Sequence, residues 1–207
     1  HDLELWRSMV TQPHGIILVT GPTGSGKTTT LYTTLKRLAR PEVNVCTIED
    51  PIEMIEPSFN QMQVQTGIEL DFANGVRALL RQDPDIIMIG EIRDRETAAI
   101  GMQSALTGHL VFSTVHTNDA PSAYTRLLDL GVEEYLLNAA LRSIVAQRLA
   151  RRLCPQCAVP HPDARTLMER LELHAFAERA GVREPQLMDA RGCDACGHTG
   201  YRGRMAV

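Results

Sequence analysis

The stretch GPTGSGKT at positions 21–28 constrains this chain more than any other feature, because it matches the G-x-x-x-x-G-K-[ST] pattern of a phosphate-binding loop. It follows the apolar run at 16–19 and precedes a helix-like run at 28–38. The order is therefore strand, loop and helix. Glycines let the backbone wrap a polyphosphate with its N–H groups pointing inward, and the positive end of the helix faces the anion. A glycine-rich turn without a ligand is the alternative.

The loop predicts ATP and Mg²⁺ as ligands. Lys27 would reach the β- and γ-phosphates, and Thr28 would offer its hydroxyl to the metal, which prefers hard oxygen ligands. The residues predicted to contact the nucleotide are Gly21, Pro22, Thr23, Gly24, Ser25, Gly26, Lys27, Thr28 and Thr29.

The composition indicates a globular chain with a sizeable core, since 43% of its 207 residues are apolar. A net charge of −4 argues against a protein whose main role is binding nucleic acid, which needs a basic face. Unbroken apolar runs reach four or five residues, whereas a membrane-spanning helix needs about 20. The chain begins at His1 without an initiator Met and stops after a Gly/Arg-rich stretch. We therefore expect a fragment of a longer protein.

Three carboxylates follow the second predicted strand, at 43–48: Glu49, Asp50 and Glu53. Open α/β sheets bind ligands at the carboxyl ends of their strands, so this is the ligand edge. One carboxylate could act as a general base on water, and others could hold Mg²⁺ through water. An acidic surface turn is the alternative.

Two further predicted strands end in polar residues. The strand at 85–89 is followed by Gly90 and Glu91, and strands of this kind bring a carboxylate beside Mg²⁺ and the attacking water in phosphate-loop proteins. Arg93 lies just beyond. The strand at 109–115 delivers His116, which is titratable and lies on the ligand edge. A predicted helix at 71–82, capped by Asp71, carries Arg77 and Arg81 on one face.

The remaining pattern predicts helices at 2–10, 96–106, 133–149 and 165–180 and a half-buried strand at 61–65. Arg148, Arg151 and Arg152 come at or after the end of the third of these helices. They either favour its negative end or contact acidic lipid or a membrane partner.

Four of the five cysteines form two C-x-x-C pairs, and the four predicted metal ligands are Cys154, Cys157, Cys193 and Cys196. The 35 residues between the pairs exceed the spacing of a common zinc ribbon. Four thiolates close the coordination sphere of Zn²⁺, so the site would be structural. Two disulfides are the alternative, which a reducing compartment disfavours. Cys46 stands alone in an apolar run.

With these stretches together, the chain resembles the ATPases of type II secretion and type IV pilus assembly over essentially its whole length. The resemblance rests on GPTGSGKTTTLY (21–32), TIEDPIE (47–53), RQDPDIIMIGEIRD (81–94), TGHLVFSTVHTNDAPSA (107–123) and AQRLARRLCPQC (146–157). The resemblance implies a RecA-like α/β core and a homo-hexameric ring with ATP between neighbours. It implies a cytoplasmic motor, peripheral on the inner membrane, that acts on platform proteins there. The same resemblance supports zinc at the cysteines.

The resemblance also assigns roles. It places Glu49 as the base for water and Glu91 near the metal. His116 would sense the γ-phosphate, while Arg77, Arg81 and Arg93 could stabilise developing charge. The family has a smaller domain before this core that helps to cover the nucleotide, so binding could survive here where turnover does not.

We expect a RecA-like phosphate-loop core at 1–150 and a tetracysteine zinc subdomain at 151–207. Runs such as VRALLRQDPD and LLDLG resemble the type II secretion branch more than the pilus extension branch, and the chain does not resemble the retraction ATPases, which usually lack the cysteine pairs. Two other classes stay open: a RecA-like nucleic-acid motor, and a zinc-stapled nucleotide-binding adaptor without activity.

Overall fold

The computed structural model describes residues 2–207; residue 1, where the expected core domain begins, lies outside them. The chain divides into two compact units, 1–148 and 149–207. Among the described residues, no helix combines the length and apolar character needed to cross a bilayer.

The first unit is built on a six-stranded sheet in which every neighbouring pair is parallel, in the order β3-β2-β4-β5-β1-β6. The strands are β1 (Gly15–Thr20), β2 (Val45–Glu49), β3 (Asn60–Gln63), β4 (Ile86–Ile89), β5 (Leu110–Val115) and β6 (Leu141–Ala146). All carboxyl ends of these strands therefore meet at one edge, as the sequence predicted for the ligand side.

Six helices belong to this unit: α1 (Asp2–Val10), α2 (Lys27–Leu38), α3 (Phe72–Leu79), α4 (Arg95–Leu106), α5 (Ala120–Asp129) and α6 (Glu134–Ala140). Three begin at an aspartate whose carboxylate accepts a bond from the N–H three residues on: Asp71, Asp94 and Asp119. The predicted helix at 71–82 is confirmed, with its last turn tightened to 3₁₀ at Leu80–Gln82.

Successive strand residues point to opposite faces, so the core lies on both sides of the sheet. On one face, Ile16 and Leu18 pack in a buried cluster with residues of α3 and α4, such as Val76 and Met102. On the other, Ile17 and Val19 belong to a cluster that includes residues of α2. Strand β1 is buried along its whole length, which fixes the point where the phosphate loop leaves the sheet.

The predicted helix at 133–149 is wrong beyond Ala140. There the chain turns into β6, which pairs with β1, and then into β7 (Leu149–Leu153). Arg151 and Arg152 are exposed on β7, so they do not follow a helix end.

The second unit pairs β7 with β10 (Tyr201–Ala206) and β8 (Val159–Pro160) with β9 (Met188–Asp189), both antiparallel. The helix predicted at 165–180 is two short helices, α7 (Ala164–Arg170) and α8 (Leu173–Arg179). Between them Glu172 has φ 50°, a left-handed conformation that interrupts a continuous helix.

Candidate functional site

The phosphate loop joins β1 to α2, and its geometry requires glycine at two points. Gly26, immediately before α2, has φ 84°, and Gly21 has φ 141°. A Cβ on Gly21 would collide with the carbonyl oxygen of Gln147 and come within 2.9 Å of the Ser25 hydroxyl. Gly21 therefore lies close against Gln147, whereas Pro22, Thr23 and Gly24 are exposed.

Lys27 is the first residue of α2, and its side chain turns back into the loop. Its Nζ donates to the carbonyl oxygens of Gly21 at 2.9 Å and Pro22 at 3.2 Å, and the residue is 8% exposed. Burial lowers the pKa of Lys27, while the charges of Glu91 and Glu53 oppose that shift. The lysine is thus a buried cation held by loop carbonyls with two carboxylates near it.

Ser25 gives an independent sign that the loop accommodates an anion. Its Oγ is buried and has no hydrogen-bond partner within the described part of the chain. An unpaired buried hydroxyl is costly, and a phosphate oxygen would satisfy it. Thr28 follows in the first turn of α2, half-buried, and Thr29 beside it is exposed.

Gln147 supports the loop from behind, a role that the sequence did not reveal. Its Nε2 donates to the Ser25 carbonyl oxygen at 2.8 Å, and its Oε1 accepts from the Thr30 hydroxyl at 2.7 Å. It follows β6 directly, and its own N–H donates to the Thr20 carbonyl oxygen. Gln147 lies within the quoted stretch at 146–157, but its role could not be read there, because its partners lie more than 100 residues away in sequence.

Glu91, Arg93 and His116 come together at the ends of β4 and β5. The Arg93 guanidinium forms an ion pair with one Glu91 oxygen, and the Nε2 atom of His116 lies 3.2 Å from the other. Arg93 also lies 3.8 Å from Asp50. The hydrogen bond to Glu91 raises the pKa of Arg93, so the guanidinium stays charged. The site therefore carries alternating charges at the sheet edge that also holds the phosphate loop.

Glu49 is placed differently from the other carboxylates. It is 3% exposed, and its carboxylate accepts bonds from the hydroxyls of Tyr32 and Thr47 at 2.7 Å and from Gln61 Nε2 at 3.2 Å. Sequence reasoning missed Tyr32 and Gln61. The carboxylate of Glu49, which was predicted to be the base, is therefore hydrogen-bonded to other side chains of the protein.

The structure does not bring Arg77 and Arg81 to the phosphate loop of the same chain. Arg77 lies in the last turn of α3 and Arg81 in the 3₁₀ turn after it, which leads into the amino end of β4. Arg77 pairs with Glu96 at 2.6 Å, and Arg81 donates to the Arg77 carbonyl oxygen at 3.3 Å. A role for either in catalysis stays a prediction that needs a neighbouring subunit.

The four paired cysteines converge in the second unit. Their Sγ atoms all lie within 4.8 Å of one another, with 3.9 Å between Cys154 and Cys193 and 3.8 Å between Cys157 and Cys196. Sulfurs held tetrahedrally at the usual zinc–sulfur distance of about 2.3 Å lie about 3.8 Å apart. None of the four forms a disulfide. The sulfur geometry therefore fits one tetrahedral metal ion.

Comparison with known proteins gives consistent matches. The chain matches the family of Type II/IV secretion system proteins over residues 1–207. It is 57% identical over 99% of its length to the type IV pilus assembly ATPase TfpB of Acinetobacter baylyi, and 48% identical over its whole length to the type II secretion system ATPase E of Vibrio cholerae. It spans only 34% and 40% of those two proteins.

Among solved structures, the pilus retraction motor PilT with bound ADP matches with a TM-score of 0.65 and 32% identity, over 86% of this chain and 56% of that one. The agreement includes the mixed α/β architecture with its parallel sheet.

Proposed function

The chain belongs to the Type II/IV secretion system protein family, and from this premise we propose that it is the ATP-hydrolysing core of a motor for protein secretion or pilus assembly. The observation that carries the proposal is the buried Lys27 of a phosphate loop, held by the carbonyl oxygens of Gly21 and Pro22 next to the Ser25 hydroxyl, which has no partner among the described residues. Both pathways supply close relatives, so the choice of type II secretion stays a prediction.

ATP would bind with its phosphates in the loop at 21–29, where Lys27 exchanges loop carbonyls for phosphate oxygens and Ser25 gains a partner. Thr28 and Glu91 are the residues that would hold Mg²⁺, which supplies positive charge to the β- and γ-phosphates when bound. Arg93 and His116 both contact Glu91 and would stabilise the charge that develops on the γ-phosphate.

For the base that orients water, the chain has two candidates. Glu49 is the one that the family resemblance suggests, but it is buried and its carboxylate accepts from the hydroxyls of Tyr32 and Thr47. Glu53 is exposed and follows β2 at the ligand edge, the edge at which Lys27 begins α2, and its charge opposes the lowering of the Lys27 pKa, so we favour Glu53 as the carboxylate that faces the reacting phosphate.

The wider assembly is also a proposal. The second unit would be a zinc-stapled subdomain, and six copies would form a ring with nucleotide between neighbours. That ring would work in the cytoplasm against inner-membrane platform proteins. The names of the relatives, which are secretion and pilus-assembly ATPases, support the motor role, and the four clustered cysteines support the metal.

Lys27→Ala tests the proposed function. In the full-length protein that carries this chain, we expect phosphate release from ATP to fall about 10²-fold or more, because no neighbour replaces the lysine's charge. Arg40→Ala is the matched control, since it removes an exposed positive charge just beyond the far end of α2. Equal turnover in both variants would overturn the assignment. Tight, salt-sensitive DNA binding would instead favour a nucleic-acid motor.

A further inference from the structure

The chain between β2 and β3 carries the acidic residues Asp50, Glu53 and Glu56 but forms no regular helix or strand over 50–56. We refer to residues 50–56 as the acidic segment. Buried or ordered backbone without a helix or a ladder needs other hydrogen-bond partners. Here side chains provide them: Gln63 Oε1 accepts from the Ile52 N–H at 3.1 Å, and Gln61 Oε1 accepts from the Glu56 N–H at 2.7 Å.

Tyr32 is the central group of these contacts. It is 3% exposed, and its hydroxyl lies 2.7 and 2.9 Å from the two Glu49 oxygens and 2.9 Å from the Met54 carbonyl oxygen. Gln61 Nε2 donates to the Tyr32 oxygen at 2.8 Å and to the same Met54 carbonyl at 2.9 Å. Three elements, namely α2, the end of β2 and the acidic segment, thus meet at one phenol.

The buried carboxylate of Glu49 is tolerable in this cluster because it is hydrogen-bonded. Thr47 and Tyr32 donate to it, and a buried charge with such partners avoids part of the cost of desolvation. Burial, together with the bond to Glu49, raises the pKa of Tyr32 well above its ordinary value, so the hydroxyl keeps its proton. These hydrogen bonds therefore connect α2, the end of β2 and the acidic segment.

This set of hydrogen bonds ends at Met54, next to Glu53 of the proposed reaction site. Met54, whose carbonyl is held, directly follows Glu53 in sequence. On the other side, Lys36 of α2 pairs with Glu56 at 2.6 Å. Helix α2 therefore carries Lys27 at its start and, one to three turns on, two side chains that anchor the acidic segment.

We propose that Tyr32 is a positioning residue, which with Glu49 and Gln61 holds the acidic segment so that the Glu53 carboxylate faces the phosphates bound at Lys27. The assignment rests on the proposed function, because it needs Glu53 to act on the reacting phosphate. Glu49 then serves as the acceptor that orients the phenol.

Tyr32→Phe removes the hydroxyl and keeps the ring against Phe59. In the full-length protein, we expect kcat for ATP hydrolysis to fall about 10- to 100-fold, because misplacement of a reacting group costs that much. KM for ATP should change less than about twofold, since Lys27 and the loop are untouched. Tyr124→Phe is the matched control, because its hydroxyl bonds Asn138 at 3.0 Å within the same unit. An unchanged kcat, or an equal loss in the control, would overturn the proposal.

A double variant separates positioning from a general loss of structure. In a Glu53→Gln background, Tyr32→Phe should lower kcat little further, because the group that it positions is already gone. Full additivity of the two losses would contradict the positioning role.

Hydrogen exchange gives a readout that does not depend on turnover. Tyr32→Phe should speed amide exchange at Ile52 and Glu56 and leave the amides of β1 unchanged. If the wild-type protein hydrolyses no ATP, the proposed function fails, but the exchange measurement still tests whether Tyr32 holds the acidic segment. Unchanged exchange at both amides would show that Tyr32 does not hold the acidic segment.

Discussion

Carboxylates close together in sequence occupy opposite environments at this site. Glu49 is enclosed by donors from Tyr32, Thr47 and Gln61, whereas Glu53 is exposed and electrostatically coupled to Lys27. A general base needs a free lone pair within reach of water. Burial thus distinguishes two carboxylates only four residues apart, and it is the reason why we propose Glu53 as the base.

Glu53→Gln and Glu49→Gln should therefore behave differently. For Glu53→Gln we expect ATP binding to persist and kcat to fall about 10²-fold or more, which is the usual cost of losing a general base. For Glu49→Gln we expect a smaller loss, because the amide oxygen still accepts from Tyr32. Single-turnover kinetics with a separate nucleotide-binding assay measures both. A larger loss of kcat in Glu49→Gln than in Glu53→Gln would indicate that Glu49 is the base.

The rule that parallel strands end at one edge was enough to place Glu91 and His116 on the ligand side, because each follows a strand that is apolar enough to recognise. It could not predict Tyr32 or Gln147. Tyr32 lies inside an amphipathic helix where an aromatic residue indicates core packing, and its polar partner Glu49 is 17 positions away. Contacts of this kind depend on which helices and strands pack together. The local spacing of apolar residues in the sequence does not predict that packing.

At the scale of elements, β6 shows where a helical pattern misleads. Leu141, Ile144 and Val145 fit helical spacing, and a helix at 133–149 would bury them. The edge of β1 instead offers unpaired backbone groups, and the β-branched Ile144 and Val145 suit a strand. Strand β6 satisfies those groups and buries Leu141 and Ile144 partly against the core. Pairing with β1 therefore explains why residues 141–146 form a strand and not a helix.

Helix α4 gives a test at the same scale. Asp94 accepts from the Thr97 N–H at 2.8 Å and from the Thr97 hydroxyl at 3.0 Å. Asp94→Ala should lower the free energy of unfolding by about 1 kcal/mol, as loss of an N-cap does. Asp129→Ala at the end of α5 is the control, where removing a negative charge should be neutral or slightly stabilising. Equal destabilisation in urea titrations would contradict the capping role.

The whole molecule combines two units with different sources of stability. The first has a two-sided core around six strands, whereas the second has two short two-stranded sheets, two short helices and the cysteine cluster. In small zinc peptides, metal binding supplies about 10–16 kcal/mol of folding free energy. The second unit should therefore depend on its metal, and the first should not.

Chelation tests this division. With a strong chelator, hydrogen exchange should increase between Cys154 and Cys196 while the strands of the first unit stay protected. Cys46→Ala is the control, because Cys46 is buried in β2 of the first unit and is not one of the four clustered cysteines, and the zinc content of that variant should equal that of the wild type. Zinc at well under one equivalent in a reduced sample, or equal loosening of both units, would rule out a structural zinc site.

The position of Gln147 sets a limit on how far this chain can be shortened. The phosphate loop, Glu49, Glu53, Glu91 and His116 all precede Ala140, so a truncation after the last helix of the first unit would keep every one of them. It would nevertheless remove β6 and the glutamine that contacts Gly21 and Ser25 from behind the loop. A shortened chain that keeps this support therefore has to extend at least to Gln147.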